Sequence, residues 1–387
     1  MYDYAIIGKG MMGAAAARYL SSWSDNVALI GPSEPMNWET HQGVFSSHYD
    51  SGRITRVLDK SYVWGKLAQR SIAAYGDIEQ RSGIHFHYAS GGVVVGQPDY
   101  VEANAVVGTQ LGADFGRMPA DLLPKNMCIQ FPDELDAIHE RGQAGFIDPR
   151  KLVAAQITVC RQQGATVIDD TVASVDVQAD GVVVRTEAGN ELKAQKVLVA
   201  AGAYSQFLLP RQPKTIIKPR TIVMARLDSA ESKRLANMPT IIYVNSKTTS
   251  FMTYFYSVPP TVYPDGNTYL KIGGDMPDLV PAQSPTDLTD WFNRGGNPRE
   301  AELLTQYLYD TIPDFRPIEL IVKPCVVMAT AHDRPYIDAI VENRLFVTTG
   351  GNGAAAKSSN EIGRLGALLT SGQWDESYRR DDFRVEY

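Results

Sequence analysis

Tyr4-Ala5-Ile6-Ile7-Gly8-Lys9-Gly10-Met11-Met12-Gly13-Ala14-Ala15-Ala16-Ala17 decides the fold. An apolar run leads into Gly-x-Gly-x-x-Gly and then into an Ala-rich stretch, which reads as strand, tight turn and helix. Gly8 permits the turn, Gly10 lets the backbone approach a pyrophosphate, and Gly13 lets the helix pack on the strand. Met11 and Met12 stand at the helix start, where free N–H groups and the positive end of the dipole favour an anion. Residues 26–30 (Asn-Val-Ala-Leu-Ile) read as the next buried strand and close a βαβ unit. Such a unit places a dinucleotide on its first turn.

One part of that fingerprint is absent. The end of the second strand ordinarily carries an acid for the adenosine ribose, and here it holds Gly31, followed by Pro32-Ser33-Glu34. Ser33 and Glu34 are the nearest substitutes. No Arg lies between Gly31 and Arg53 to receive a 2′-phosphate, so the reading is an altered ribose contact with the cofactor class unchanged.

The chain has 387 residues, enough for two domains or one with a large insertion. A net charge of −7 argues against nucleic acid or an anionic membrane as bulk partners. Cys128, Cys160 and Cys325 are widely spaced and odd in number. They suit neither a disulfide framework nor a zinc ribbon, and a reducing cytoplasm is expected. The start, Met-Tyr-Asp-Tyr, has no basic region before its apolar strand, so no signal peptide is expected. No apolar run is long enough to span a membrane. His85 and His87 alternate on one strand, but no acid or Cys cluster joins them, and no metal is expected. No Gly-x-Ser-x-Gly elbow appears.

Further along, helices are expected over 61–80 and 151–163, and strands over 85–96, 172–178, 182–186 and 196–200. Short apolar runs broken by Pro and Gly suggest an antiparallel sheet over 221–274. Residues 287–310 read as mixed helix and loop, 319–328 and 344–349 as strands, and 358–371 as the last helix. The fold class is α/β, α+β overall: a Rossmann-like domain carrying an inserted antiparallel-sheet domain. The expected boundaries are 1–85, 145–220 and 323–387 for the cofactor domain, and 86–144 and 221–322 for the substrate domain.

Four separated motifs then point to a family. They are Ser46-Ser47-His48-Tyr49-Asp50-Ser51-Gly52-Arg53-Ile54-Thr55-Arg56, Tyr269-Leu270-Lys271-Ile272-Gly273, Lys323-Pro324-Cys325 with Asp338 thirteen residues after the Cys, and Gly350-Gly351-Asn352-Gly353-Ala354-Ala355-Ala356-Lys357. Together they resemble the D-amino-acid-oxidase-like FAD amine oxidoreductases, in the sarcosine oxidase and N-methyltryptophan oxidase branch. Two weaker matches are Ala200-Ala201-Gly202-Ala203-Tyr204-Ser205 and the pair Tyr254 and Tyr256, which share one strand face.

The resemblance implies FAD as cofactor, with Gly8, Gly10, Met11, Met12, Gly13, Ser33, Ser47, Arg53, Gly202, Gly351, Asn352, Gly353 and Lys357 around it. It implies a thioether from Cys325 to the flavin. It makes Lys271 and Arg53 the catalytic cations on the O₂ side, because a fixed positive charge stabilises negative charge developing on O₂. Arg56 and Lys357 would hold a substrate carboxylate, and Tyr254 and Tyr256 would line the substrate cavity. Departures fall on the substrate side: Tyr49 for a His, Gly52 for a Thr, Gly274-Asp275 where a His is expected, and Ala355 for a Gly.

The expected reaction is oxidation of the C–N bond of a small secondary amine or N-alkyl amino acid to an imine, with O₂ reduced to H₂O₂, by a cytoplasmic monomer or homodimer. The competing readings are a dehydrogenase passing electrons to another acceptor, and a subunit that binds FAD without turnover.

Overall fold

The structure, a computed structural model, describes residues 1–38, 40–247, 252–276 and 280–387. Its first sheet has eight strands. Tyr2–Ile7 lies at the centre, parallel to Val27–Ile30 on one side and to Glu191–Val199 on the other. Thr166–Ile168 continues the parallel order beyond Val27–Ile30, and Leu345–Thr349 pairs parallel with residues 197–199. Antiparallel strands Val172–Gln178 and Gly181–Thr186 extend it outward. Residues 5–7, Val27–Ile30 and residues 197–199 are continuous Val, Ile, Leu and Ala and buried, as strands covered on both faces must be.

Their C-terminal ends converge. Gly8 N–H donates to the Ile30 carbonyl, Gly31 N–H to Ile168 and Ala200 N–H to Ile7, each within 3.1 Å. This edge is where an open α/β sheet binds its ligand. The helix Met11–Leu20 leaves it, with Ala14 through Ala17 wholly buried. Small residues let it lie close to the helix Ala355–Ser371. A Cβ on Gly363 would stand 2.5 Å from the Met12 carbonyl oxygen. One on Gly13 would stand 1.8 Å from the Gly8 carbonyl oxygen, so Gly13 serves the packing of turn on helix.

The second eight-stranded sheet runs Glu319–Thr330, Thr215–Leu227, Thr268–Gly274, Tyr254–Val262, Thr240–Val244, Gly92–Gly96, Asp136–Glu140 and Phe115–Pro119. It is antiparallel except where Thr240–Val244 meets Gly92–Gly96. A small third sheet joins Arg53–Thr55, Gly145–Ile147 and His87–Tyr88. The fold is thus mixed α/β with a separate, largely antiparallel sheet, in the expected class.

Several element readings need correction. The helix expected over 61–80 is two, Tyr62–Ala73 and Tyr75–Ser82. The break at Ala74 lets Tyr75 bury its ring against Phe86 at 5.3 Å. The strand expected over 85–96 is also two, His87–Tyr88 and Gly92–Gly96, in different sheets. Gly91, with φ +76°, turns the chain between them. Residues 285–311 are more regular than expected. Pro285–Arg294 starts with a Ser284–Asp287 capping box and Pro298–Thr311 with an Asn297 cap. Gly295 and Gly296, both at positive φ, separate them. The helix Pro98–Gln110 was not anticipated. In the 221–274 stretch a short helix, Ser229–Arg234, interrupts the sheet, and residues 248–251 lie outside the described residues. Among the described residues no helix is long and apolar enough to cross a membrane.

Candidate active site

A cavity of about 1370 Å³ opens between the two large sheets. At one end lie Gly8, Gly10, Met11 and Met12 of the first turn. Ser47, Arg53, Gly202, Gly351, Asn352 and Gly353 line its middle. Arg56, Tyr254, Tyr256, Cys325 and Lys357 also reach it. Residues spread over 350 positions of chain therefore meet in one space. Three expected site residues stand off its wall. Gly13 packs behind the turn, Ser33 sits at the rim beyond Pro32, and Lys271 lies beneath the floor.

The turns are shaped by backbone. A Cβ on Gly8 would fall 2.3 Å from the Ala200 carbonyl oxygen, and φ there is +112°. Gly350, Asn352 and Gly353 all have positive φ, which bends the chain into the N-terminus of Ala355–Ser371. Asn352 Oδ1 accepts from Thr330 N–H at 2.9 Å and fixes that loop. Ala355, where the resemblance expected Gly, is the first residue of the helix and is accommodated there.

Beneath the floor is a buried charge cluster. Asp50 accepts from Lys271 Nζ at 2.6 Å, from Tyr263 Oη at 2.7 Å and from Ser51 N–H at 2.8 Å. Arg53 Nε stands 3.1 Å from Asp50 Oδ2, the oxygen that also accepts from Lys271. Lys271 Nζ also donates to the Gly52 carbonyl. Burial would raise the Asp50 carboxyl, but Lys271 and Arg53 outweigh it and hold it well below the usual carboxylate range. Burial pushes the Lys271 ammonium down to about 8, against the pull of Asp50. Arg53 extends from this cluster to Cys325, its Nη2 3.8 Å from the Sγ.

On the cavity wall, Lys357 Nζ donates to Asp59 Oδ2 at 2.7 Å. Burial brings this ammonium too down to about 8, with Asp59 opposing. Arg56 Nη1 is buried and has no hydrogen-bond partner. His48 is alike: 9 % exposed, with Nδ1 unpartnered and 3.7 Å from where a Gly10 side chain would begin. Burial, then the cations Arg150 and Lys9, bring its pKa down to about 3, so the imidazole is neutral.

The substrate-side floor is aromatic. Tyr254 and Tyr256 project from alternate positions of one strand, beside Val244 and Ile242. The Tyr256 ring lies across Gly273, where a Cβ would come within 2.6 Å of its hydroxyl. Asp275 is held by Arg220 at 2.6 Å, and both line the cavity.

Asp50, Asp59, His48 and Arg220 were given no role by sequence reasoning, and Asp275 was noted only as a departure from the family pattern. A weak signal existed: Asp50 and Asp59 stand three residues outside Arg53 and Arg56. Their partners, 221 and 298 residues away, were not legible. Glu300 was missed altogether. It is fully buried behind Thr221, and burial raises its carboxyl to about 7, opposed by Thr221 and then by Arg220. Unfolded, it ionises near 4.5. Between these values the unfolded chain releases the proton first, so stability falls as pH rises, by on the order of 3 kcal/mol. Glu300→Gln should abolish that fall. Urea unfolding at pH 5 and pH 8 checks it, and an equal pH dependence in both proteins would refute it.

Comparison with known proteins fits this geometry. Residues 3–369 match the profile of a family described as FAD dependent oxidoreductase. A monomeric sarcosine oxidase of Streptomyces avermitilis is 33 % identical over 219 residues, covering 54 % of this chain and 53 % of that protein. An N-methyl-L-tryptophan oxidase of Yersinia pestis is 27 % identical over 225 residues, 56 % of this chain and 58 % of that one. The matched region thus spans about half the length of these relatives. The fold is that of NikD, an amino acid oxidase of nikkomycin biosynthesis: TM-score 0.80 over 100 % of this chain and 97 % of that one, at 19 % identity.

Proposed function

The chain belongs to the FAD-dependent oxidoreductase family, and from that premise we propose that it oxidises the C–N bond of a small secondary amine or N-alkyl amino acid to an imine, reducing O₂ to H₂O₂. Arg56, whose side chain lines the same cavity as Lys357 and Cys325, carries the reading. A guanidinium on the wall of a cavity matches a carboxylate.

The residues present fit FAD. The Gly8–Met12 turn would supply backbone donors for the pyrophosphate. Gly351–Gly353 and the following helix N-terminus would face the flavin end, and Cys325 would form the thioether. When bound, FAD accepts the hydride equivalent from the substrate carbon and passes the electrons on. Arg56 and Lys357 would bind the carboxylate and orient that carbon. Tyr254 and Tyr256 would exclude water beside it. Lys271 and Arg53 would supply positive charge on the O₂ side. Residues 1–85, 145–220 and 323–387 form the FAD-binding domain in this reading, and 86–144 and 221–322 the substrate domain. The unpaired cysteines favour a cytoplasmic protein; a monomer or homodimer remains the expected assembly.

One observation favours the dehydrogenase reading. The Lys271 charge is compensated by Asp50 at 2.6 Å, which weakens its pull on O₂. A screen of N-methyl and cyclic amino acids in air, scored for H₂O₂, decides between them. Turnover only with an added artificial acceptor would support the dehydrogenase. No bleaching by any amine without air would overturn both.

Attachment through Cys325 has its own test. Acid-precipitated, unfolded protein should keep its yellow colour in the pellet, and Cys325→Ser should lose it to the supernatant. Colour lost from the parent protein would refute the thioether.

A further inference from the structure

The second strand ends in Gly31, which has no carboxylate, and the structure shows why none fits. A Cβ there would stand 2.6 Å from the Lys9 backbone nitrogen. Glu34, the nearest acid in sequence, is occupied: both its oxygens accept from Arg150, each at 2.6 Å. The third strand, Thr166–Ile168, runs parallel to the second, and Gly31 N–H donates to the Ile168 carbonyl. The residue that follows, Asp169, therefore stands level with Gly31 at the next strand end.

We infer that Asp169 and Ser33 together take over the work of the missing acid and bind the vicinal diol of the cofactor's adenosine ribose, with Lys9 as their counter-charge. This rests on the FAD reading of the cavity. Ser33 N–H donates to Asp169 Oδ1 at 2.7 Å and Ser33 Oγ donates to Oδ2 at 2.5 Å. Lys9 Nζ donates to Ser33 Oγ at 3.1 Å and to Asp169 Oδ1 at 3.3 Å. Counting lone pairs, Oδ1 is filled, while Oδ2 and Ser33 Oγ each keep one. Two adjacent free acceptors match two adjacent hydroxyl donors. The cluster is reachable, since the Asp169 side chain is 61 % exposed, and Gly31, Pro32 and Thr171 beside it line the cavity. Lys9 belongs to the Gly8–Gly13 turn, so the diol site and the pyrophosphate site share one rigid element. Burial would raise the Asp169 carboxyl, but Ser33 and Lys9 outweigh it and keep it ionised, as an acceptor must be.

The test uses the full chain as apoprotein in a Cys325→Ser background, so that binding is reversible. Flavin fluorescence quenching gives the Kd of FAD and of FAD carrying 2′-deoxyadenosine. The Cys325→Ser parent should bind FAD about tenfold more tightly than the deoxy analogue, the value of one hydrogen bond to a charged group. Adding Asp169→Ala should weaken FAD by about tenfold, leave the deoxy analogue nearly unchanged and so erase the preference. Ser33→Ala should act in the same direction. Equal weakening of both ligands would mean a structural role and overturn the inference, as would unchanged FAD affinity in both variants. A parent that binds no FAD would overturn the cofactor reading, and this inference with it.

Discussion

Replacing Lys271 by Met is expected to slow reoxidation by O₂ about a hundred- to a thousand-fold, the loss typical of removing one preorganised charge-stabilising group. Anaerobic bleaching by the amine should change little. The side chain is 1 % exposed and sits beneath the cavity floor, so it is not placed to touch substrate. Met preserves its length and apolar volume. Asp50 keeps Arg53, Tyr263 and the Ser51 N–H as partners, which limits the damage to the fold. The pH dependence gives a second check. With the ammonium near 8, the rate with O₂ should fall as pH rises through that value. Asp50 is the group that holds this ammonium up, so Asp50→Asn should move the fall to lower pH. Stopped-flow mixing of amine-reduced protein with O₂ reads both. An unchanged O₂ rate in Lys271→Met would remove Lys271 from the reaction.

Arg56→Met is expected to cut kcat/KM for a carboxylated amine about a hundred- to a thousand-fold, in the range measured when one partner of a buried charge pair is lost. An amine without a carboxylate should be nearly unaffected, and that contrast separates anchoring from folding. Lys357 should behave differently. Its ammonium is already paired with Asp59, so Lys357→Met strands a buried carboxylate and should lower thermal stability as well. In the unsubstituted protein, kcat/KM for the carboxylated amine should fall above about pH 8 as Lys357 loses its proton. Equal losses on both substrate types in Arg56→Met would count against a carboxylate anchor.

Reading the chain in order recovers elements best where local rules are strong. The Gly8–Gly13 turn, the strand Val172–Gln178 and the last helix were all legible, because glycine placement and apolar period determine them locally. The caps at Ser284 and Asn297 were equally visible and were passed over. The break at Ala74 was not visible, since burial of Tyr75 against Phe86 decides it and Phe86 belongs to another segment.

The same division runs through the candidate site. Sequence alone determined the parallel βαβ start and a dinucleotide turn, since each depends on spacing within a short segment, and the four motifs carried the resemblance that implied FAD. Only the tertiary structure decided their electrostatics. Asp50 meets Lys271 and Asp59 meets Lys357 across 221 and 298 residues, and burial brings both ammonium groups down to about 8 with those carboxylates opposing. It also decided where the ribose acid went: Gly31 is empty because Lys9 passes against it, and Asp169 arrives from the neighbouring strand end. Burial and pairing arise from chain segments brought together in space, and a linear pattern carries no record of which distant charge will be the neighbour.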